Sequence, residues 1–217
     1  ERENQGIQPE IDSSISIGFD TLTQSWETGP LDGNSLLVTL SSYYQPTRES
    51  WFGDITVDAQ HYVRLYKTVN IGLRGAWGQS FGDEWKRPFY VSSVDNLRGV
   101  PWYQFNYLTS EAYALGGAEL QVPLDGLIRL LIFQNIEGIA GVDAGSLFTE
   151  YEDFDENRTA AFVTGFNFNL AIFQFRLHFA KSFDIGGLKP GEPREGETQP
   201  IVPDGWVTNF TIRYLFF

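Results

Sequence analysis

The sequence lacks cysteine and methionine, and no stretch of about eighteen consecutive apolar residues occurs in its 217 positions. Without cysteine, the chain forms no disulfide and offers no thiolate to a metal ion. The missing apolar run excludes a membrane-spanning helix but not membrane-spanning strands, in which only every second residue needs to be apolar. Lysine and arginine are scarce, at 15 residues against 28 Asp and Glu, and the net charge of -13 argues against nucleic acid as a partner.

Position 1 is glutamate rather than methionine, so we expect the sequence to be a processed or excised part of a longer product. Two residue classes are abundant. Aromatic residues make up 16% of the chain, and glycine occurs 22 times. Transmembrane β-barrels use aromatic residues at both membrane interfaces and glycine at tight turns and bends, whereas a soluble domain seldom needs both.

Apolar and polar residues alternate with a period of two along most of the chain, which is the pattern of strands with two different faces. In residues 55–65, for example, Ile55 and Val63 share one face, whereas Asp58 and Arg64 lie on the other. No segment shows a convincing long helix pattern. The alternation predicts about nine strands of membrane-spanning length, in segments 15–23, 35–44, 55–65, 71–78, 118–122, 136–142, 162–168, 173–179 and 206–216.

A soluble β-sandwich would also alternate, but its apolar face would fill a core of Leu, Val and Ile and its polar face would meet bulk water. The apolar face here is rich in phenylalanine, with Phe173, Phe175 and Phe179 alternating with polar side chains. Such a face suits lipid, and the Arg, Gln, His and Asn side chains opposite it suit a watery interior. The pattern therefore favours an all-β transmembrane antiparallel barrel over a sandwich.

The predicted connections between strands are of two lengths. Outer-membrane barrels have short periplasmic turns and long external loops. If the chain ends on the periplasmic side, about nine crossings place residue 1 outside the cell, so we expect further strands to precede it. The short connections are 67–70, 124–126 and 170–172, and the long polar ones are 45–54, 82–110, 148–158 and 184–205.

Five motifs follow one another in the chain: Gly29-Pro30-Leu31-Asp32-Gly33-Asn34 as a turn, Asn96-Leu97-Arg98-Gly99 in a loop over residues 83–110, Glu119-Leu120-Gln121-Val122-Pro123, Val142-Asp143-Ala144-Gly145, and an aromatic terminal strand. In this order they resemble the C-terminal half of the BamA and TamA superfamily of outer-membrane assembly and translocation barrels. The resemblance covers nearly the whole chain. It implies one barrel domain over residues 1–217, as the eighth to sixteenth strands of a sixteen-stranded barrel, with loop 83–110 folded inward.

The inward loop carries Arg98 between Leu97 and Gly99. An arginine withdrawn from bulk water is stable only when it has anionic partners, ideally in bidentate geometry. Glu119 and Asp143 both lie on the predicted interior face of the strands that follow. The resemblance implies that these carboxylates hold Arg98 against the barrel wall, while Gly99 allows the backbone to come close. The alternative is a solvated Arg98 and a surface carboxylate at Asp143.

The resemblance further implies a weak seam between the first and last strands of the barrel, where the terminal strand pairs with an incoming one. The partners that the resemblance implies for the protein are outer-membrane lipids, client outer-membrane or secreted polypeptides, and other subunits of an assembly complex. The resemblance implies no cofactor. Two residues depart from the family pattern, because Val100 replaces the aromatic residue after Arg-Gly and Phe217 breaks the terminal alternation. The implied seam residues are Phe210, Ile212, Tyr214, Phe216 and Phe217.

Two functions other than assembly or translocation stay open, and we expect the protein to be non-enzymatic in each case. One is a passive diffusion channel whose inward loop narrows the pore, and the other is a structural barrel subunit completed by another chain or a second copy. The motif His-Glu-x-x-His and the Walker loop are absent. A hydrolase would need His178 to meet an interior serine, and the separation of His61 from His178 argues against a metal site.

Overall fold

A computed structural model describes residues 10–25, 29–66, 69–83, 89–90, 97–101, 109–124, 134–149, 154–170, 173–194 and 198–214. Within these ranges the regular structure consists of β-strands, and no helix there is long and apolar enough to cross a membrane. The strands are β1 (Ile11–Asp20), β2 (Thr23–Ser25), β3 (Gly29–Gln45), β4 (Ser50–Tyr66), β5 (Val69–Gly82), β6 (Phe89–Tyr90), β7 (Thr109–Ser110), β8 (Ala112–Pro123), β9 (Gln134–Phe148), β10 (Thr159–Leu170), β11 (Phe173–Phe183) and β12 (Trp206–Tyr214).

Nine of these strands form one antiparallel sheet in the order β1-β3-β4-β5-β8-β9-β10-β11-β12. β2 pairs with the beginning of β3, and β6 and β7 form a separate two-stranded ribbon. Each predicted segment overlaps one of the nine strands, so the prediction of an all-β antiparallel sheet of this size is confirmed. In the described part of the chain the sheet is open, with β1 and β12 at its two ends.

The two faces of the sheet differ in what covers them. Residues 97–101 lie buried against one face, which we call the inner face, and the opposite face is the outer face. On the outer face Ile17, Val38, Val57 and Trp77 pair in succession across β1, β3, β4 and β5, and Ile17 is 73% exposed. Other exposed apolar side chains on this face are Ile15, Phe19, Leu40, Val63, Leu73, Leu120, Val142, Phe162, Phe166, Phe173, Phe210 and Ile212.

A row of residues along the inner face provides the surface on which segment 97–101 lies. Arg74, Gly117, Asp143, Ala161 and Ser182 pair in succession across β5, β8, β9, β10 and β11. The two charged residues, Arg74 and Asp143, are therefore separated by Gly117, and the small residues Ala161 and Ser182 complete the row. Because strand side chains alternate between faces, a shift of one residue in any of these pairings would dissolve the row.

An apolar cluster closes over the same segment at the end of the sheet where β11 is connected to β12. Leu97 and Val100 pack with Leu147 of β9 and with Ile201 and Val202 of the connection, and all five side chains are buried. The buried apolar residues of the connection between β11 and β12 therefore pack on Leu97 and Val100 of the inward segment. We did not anticipate this contact from the sequence, because residues 184–205 read as a polar external loop.

The motif at residues 29–34 was predicted to be a turn, and the structure places it in a strand instead. β3 begins at Gly29 and pairs with β2 through its first residues. Their register shifts so that β3 carries one extra residue, and Gly33 adopts a φ of 112°. The extra residue is Leu31, and the positive φ of Gly33 lies two residues beyond it, where a Cβ would collide with the carbonyl oxygen of Thr21.

The long loop predicted at residues 45–54 is also wrong. The strand pairing continues through Tyr44 with Trp51 and Gln45 with Ser50, which leaves only residues 46–49 for the turn. Glu49 has a φ of 49° at the end of this turn. Residues 46–49 are exposed, whereas Phe52 is buried and stacks on Tyr43, so the polar run marks the turn and not the strand residues beside it.

Candidate functional site

The inward segment presents its apolar and charged side chains in opposite directions. The amide of Val100 donates to the carbonyl of Leu97 at 3.0 Å, which folds residues 97–100 into a tight turn. This turn points Leu97 and Val100 towards the apolar cluster, while Arg98 reaches the inner face of the sheet. Of the predicted loop 83–110, the structure describes residues 83, 89–90, 97–101 and 109–110.

Arg98 binds Asp143 of β9 in bidentate geometry. Its Nε donates to Oδ2 at 2.7 Å and its Nη2 donates to Oδ1 at 2.9 Å. The backbone amide of Arg98 also donates to Oδ2, at 3.3 Å. The Asp143 side chain is fully buried, so the pair is shielded from water and its charge-assisted hydrogen bonds are of the strong kind.

Glu119 of β8 provides a second carboxylate. Nη1 of Arg98 donates to Oε2 of Glu119 at 2.5 Å, and the other carboxylate oxygen accepts a hydrogen bond from Nε2 of Gln121 at 3.1 Å. Burial disfavours a charged Arg98, but its hydrogen bonds to Asp143 and Glu119 and the charges of both residues raise the pKa of Arg98 above its ordinary value. The guanidinium is therefore charged at neutral pH.

A second arginine, Arg74 of β5, reaches the same carboxylate. Its Nη2 donates to Oδ1 of Asp143 at 2.9 Å, so that oxygen accepts from two guanidinium groups. Arg74 and Asp143 are not on neighbouring strands, and Gly117 of β8 lies between them. A Cβ at Gly117 would lie 2.8 Å from Oδ1 of Asp143 and 2.9 Å from Nε of Arg74. Glycine at this position therefore keeps the path between the two charged groups open.

Arg98, Glu119, Asp143 and Arg74 are called the Arg98 cluster below. Its two positive and two negative groups balance, which allows Arg98, Glu119 and Asp143 to lie largely out of water, whereas the Arg74 side chain is 36% exposed. Sequence reasoning brought together the first three residues but did not include Arg74. The missing information was the register of β5, β8 and β9, which places Arg74, Gly117 and Asp143 in one row.

Neutral side chains extend the cluster towards β10. Nδ1 of His178 lies 3.4 Å from Nη1 of Arg98, and Nε2 of His178 lies 2.9 Å from Oδ1 of Asn167. Nδ2 of Asn167 donates to Oε2 of Glu137 at 3.1 Å. Since the arginine can only donate, the network assigns the proton of a neutral His178 to Nε2.

The backbone of the inward segment is held by two residues that the sequence did not single out. Nδ2 of Asn209 in β12 donates to the carbonyl of Arg98 at 2.9 Å, and Oγ of Ser182 in β11 donates to the carbonyl of Gly99 at 3.2 Å. A Cβ at Gly99 would collide with Oγ of Ser182 and Cβ of Ala161. The requirement for glycine thus comes from close approach to the wall.

The predicted seam residues Phe210 and Ile212 lie on the opposite face of the sheet from the Arg98 cluster. Phe210 and Ile212 are on the outer face of β12 and are 57% and 53% exposed. Tyr214 ends β12, and Phe216 and Phe217 lie outside the described residues. No group of three or more His, Asp or Glu residues in the described ranges is arranged to hold a metal ion.

Comparison with known proteins finds similarity to solved structures but not to any family model. No family model matches the sequence, and no curated protein matches it. Among solved structures, the chain is similar to CdiB from Acinetobacter baumannii, with a TM-score of 0.46 and 11% sequence identity. The alignment covers 94% of this chain and 41% of that chain, so this chain spans less than half of that protein's length.

We predict that Arg98→Ala lowers the free energy of unfolding by about 3–5 kcal/mol, because it leaves buried carboxylates without their main donor. The folded protein should lose heat resistance on gels, and the inward loop should be cut faster by protease. Arg98→Lys should restore only part of the loss, since an ammonium group cannot reproduce the bidentate contact. Arg194→Ala, at an exposed position, is the control. An unchanged gel shift together with unchanged proteolysis of Arg98→Ala would contradict the assignment.

We predict that Gly117→Ala destabilises the fold by about 1–3 kcal/mol, as overpacking does, because the new methyl group separates Arg74 from Asp143. Gly116→Ala is the matched control on the same strand, since a Cβ there meets nothing closer than the carbonyl of Arg74 at 3.8 Å. Thermal unfolding of the two variants in the same detergent provides the comparison. Equal losses of stability in the two variants would show that the contact between Arg74 and Asp143 does not depend on glycine at position 117.

Proposed function

We propose that this chain is the C-terminal part of a bacterial outer-membrane β-barrel of the BamA/TamA type, which assists the insertion of outer-membrane proteins or passes polypeptides across the membrane. The observation that carries the proposal is the charged anchoring of segment 97–101 on the inner face of a sheet whose outer face is apolar and exposed. An apolar surface of this extent needs an apolar environment. Lipid is the environment that suits a sheet with one apolar and one polar face.

The character of the anchoring supports an assembly role over passive diffusion. A loop that only narrows a pore needs no buried ions, and burying ions brings little stability by itself. Segment 97–101 bonds to Glu119 on β8, Asp143 on β9, Ser182 on β11 and Asn209 on β12. It therefore stiffens the part of the wall that ends at β12. We infer that the charged contacts serve to stiffen this part of the wall.

The end of the sheet at β12 supports the templating mechanism. β12 pairs with β11 on one side and, within the described residues, is the last strand in the order. A strand edge offers backbone donors and acceptors to an incoming strand. Such an edge binds best when it is already held extended, because less ordering entropy is then lost. The exposed Phe210 and Ile212 would continue an apolar face shared with an amphipathic client strand.

The finer parts of the proposal follow the family resemblance. We place these nine strands as the eighth to sixteenth of a sixteen-stranded, non-enzymatic barrel, surrounded by outer-membrane lipid, with client polypeptides and assembly subunits as partners. The open strand order also fits a barrel completed by another chain. Cross-linking of β12 to a separate resident polypeptide, and not to a strand of its own chain, would select that alternative.

We predict that Leu40→Arg strongly impairs folding into lipid vesicles, whereas Thr39→Arg does not. Leu40 lies on the outer face and is 49% exposed, and its neighbour Thr39 points to the inner face of the same strand. An arginine facing lipid near the middle of a membrane costs about 2–4 kcal/mol, and the same charge in a watery interior costs little. The measurement is the folded fraction after refolding into vesicles. Equal tolerance of both variants, or a monomer that stays folded in plain buffer, would refute the lipid-facing assignment.

We also predict that the full-length protein, reconstituted in vesicles, accelerates folding of a urea-denatured eight-stranded outer-membrane barrel. Arg98→Ala should reduce this acceleration, because the edge at β12 is then less well ordered. The control is an equal amount of protein carrying Arg194→Ala. A large, steady conductance in planar bilayers with no acceleration of client folding would overturn the proposal and favour a passive channel.

A further inference from the structure

The inward segment is attached to the wall at two separate places by two kinds of contact. The side chain of Arg98 binds the carboxylates on β8 and β9, whereas the carbonyl of the same residue accepts a hydrogen bond from Asn209 on β12. Ser182 on β11 adds a bond to the carbonyl of Gly99. Arg98 thus joins the interior strands of the sheet to its last strand through a single residue.

Asn209 is placed for this contact by the register of β12. It pairs with His178 of β11, whose Nδ1 lies 3.4 Å from Nη1 of Arg98. Both side chains are 8% exposed, so the amide of Asn209 works without competition from bulk water. Its bond to the Arg98 carbonyl therefore depends on β12 lying in this one alignment.

The geometry of a strand makes this dependence strict. If β12 slipped by one residue along β11, Asn209 would turn to the outer face. If it slipped by two residues, the amide would move by roughly 7 Å, beyond any hydrogen bond to the carbonyl. The carbonyl of Arg98 would then be buried without its donor, which is costly.

From this we infer that Asn209 is a positioning residue that couples the register of the terminal strand to the seating of the inward loop. Such a coupling is reciprocal by thermodynamic necessity. A seated Arg98 favours the observed alignment of β12, and a correctly aligned β12 favours a seated loop. Asn209 touches no client strand itself and acts through the loop.

The functional meaning of the coupling rests on the proposed function. A strand edge can template an incoming strand only if its own alignment is fixed, since a slip of one residue exchanges the apolar and polar faces. β12 would then present its edge in the productive alignment only while the inward loop is bound at the Arg98 cluster. Release of the loop would free β12 to shift.

The test is backbone hydrogen exchange of residues 207–212 in the detergent-solubilised full-length protein. Asn209→Ala should speed exchange in β12 by about 2-fold to 10-fold, the range for one hydrogen bond, and should also speed proteolysis of the inward loop. The matched control is Thr211→Ala, which removes a side chain from the same strand, two residues along the same face. If Asn209→Ala fails to fold, Ser182→Ala tests the neighbouring attachment in the same way.

The deciding comparison combines Asn209→Ala with Arg98→Ala. If the two act through one coupled contact, Arg98→Ala should by itself speed exchange in β12, and the double variant should exchange no faster than the quicker single variant. Additive effects of the two substitutions, or an unchanged β12 in Arg98→Ala, would overturn the inference. The measurement needs no client, so its outcome is distinct from that of the client-folding assay.

Discussion

Arg98 is a charge taken out of water, and its neutralisation is the constraint on which the rest of the site depends. The guanidinium is 7% exposed and Asp143 is fully buried, so neither residue could remain there without the other. Glu119 supplies a second negative charge, which matches the second positive charge that Arg74 brings to Asp143. Gly117 follows from this arrangement, because Arg74 and Asp143 meet only if nothing stands between them, and Gly99 follows from the close approach of the segment to Ala161 and Ser182.

The second constraint is the contrast between the two faces of the sheet. One face carries isoleucine, leucine and phenylalanine side chains that remain exposed, and the other carries the ionic network and the segment that lies on it. In a soluble sandwich the apolar face would be the one buried by a second layer. Here the charged face is the one that receives a covering segment, as expected of a wall between lipid and a wet interior.

These two constraints meet at the terminal strand. β12 exposes Phe210 on its outer face and directs Asn209 inward to the carbonyl of Arg98. The outer residues suit an apolar surrounding, and the inner residue fixes the alignment of the strand. A single strand therefore combines the surface that a client strand would continue with the contact that holds the loop.

The sequence predicts the strands well because alternation is a local property, readable from residues such as Ile15 and Ile17 without knowledge of their partners. It predicts the grouping of Arg98 with Asp143 through the resemblance of motifs and the need of a buried arginine for a carboxylate. It does not predict the role of Arg74 or Asn209, because both depend on how strands far apart in sequence are aligned. The strand at residues 29–34 and the short turn at 46–49 were missed for a different reason, since polar and Asp-Gly sequences serve strand ends as well as loops.

The most direct measurement of the central claim is the coupling free energy between Arg98 and Asp143 in a double-mutant cycle. Arg98→Met and Asp143→Asn remove the charges with little change in shape, and the unfolding free energies of the two single variants and the double variant isolate the pairwise term. The account predicts a favourable coupling of at least about 2 kcal/mol, in the upper part of the range for residues in direct contact. A coupling near zero would mean that the inward loop is held by something other than this ion pair.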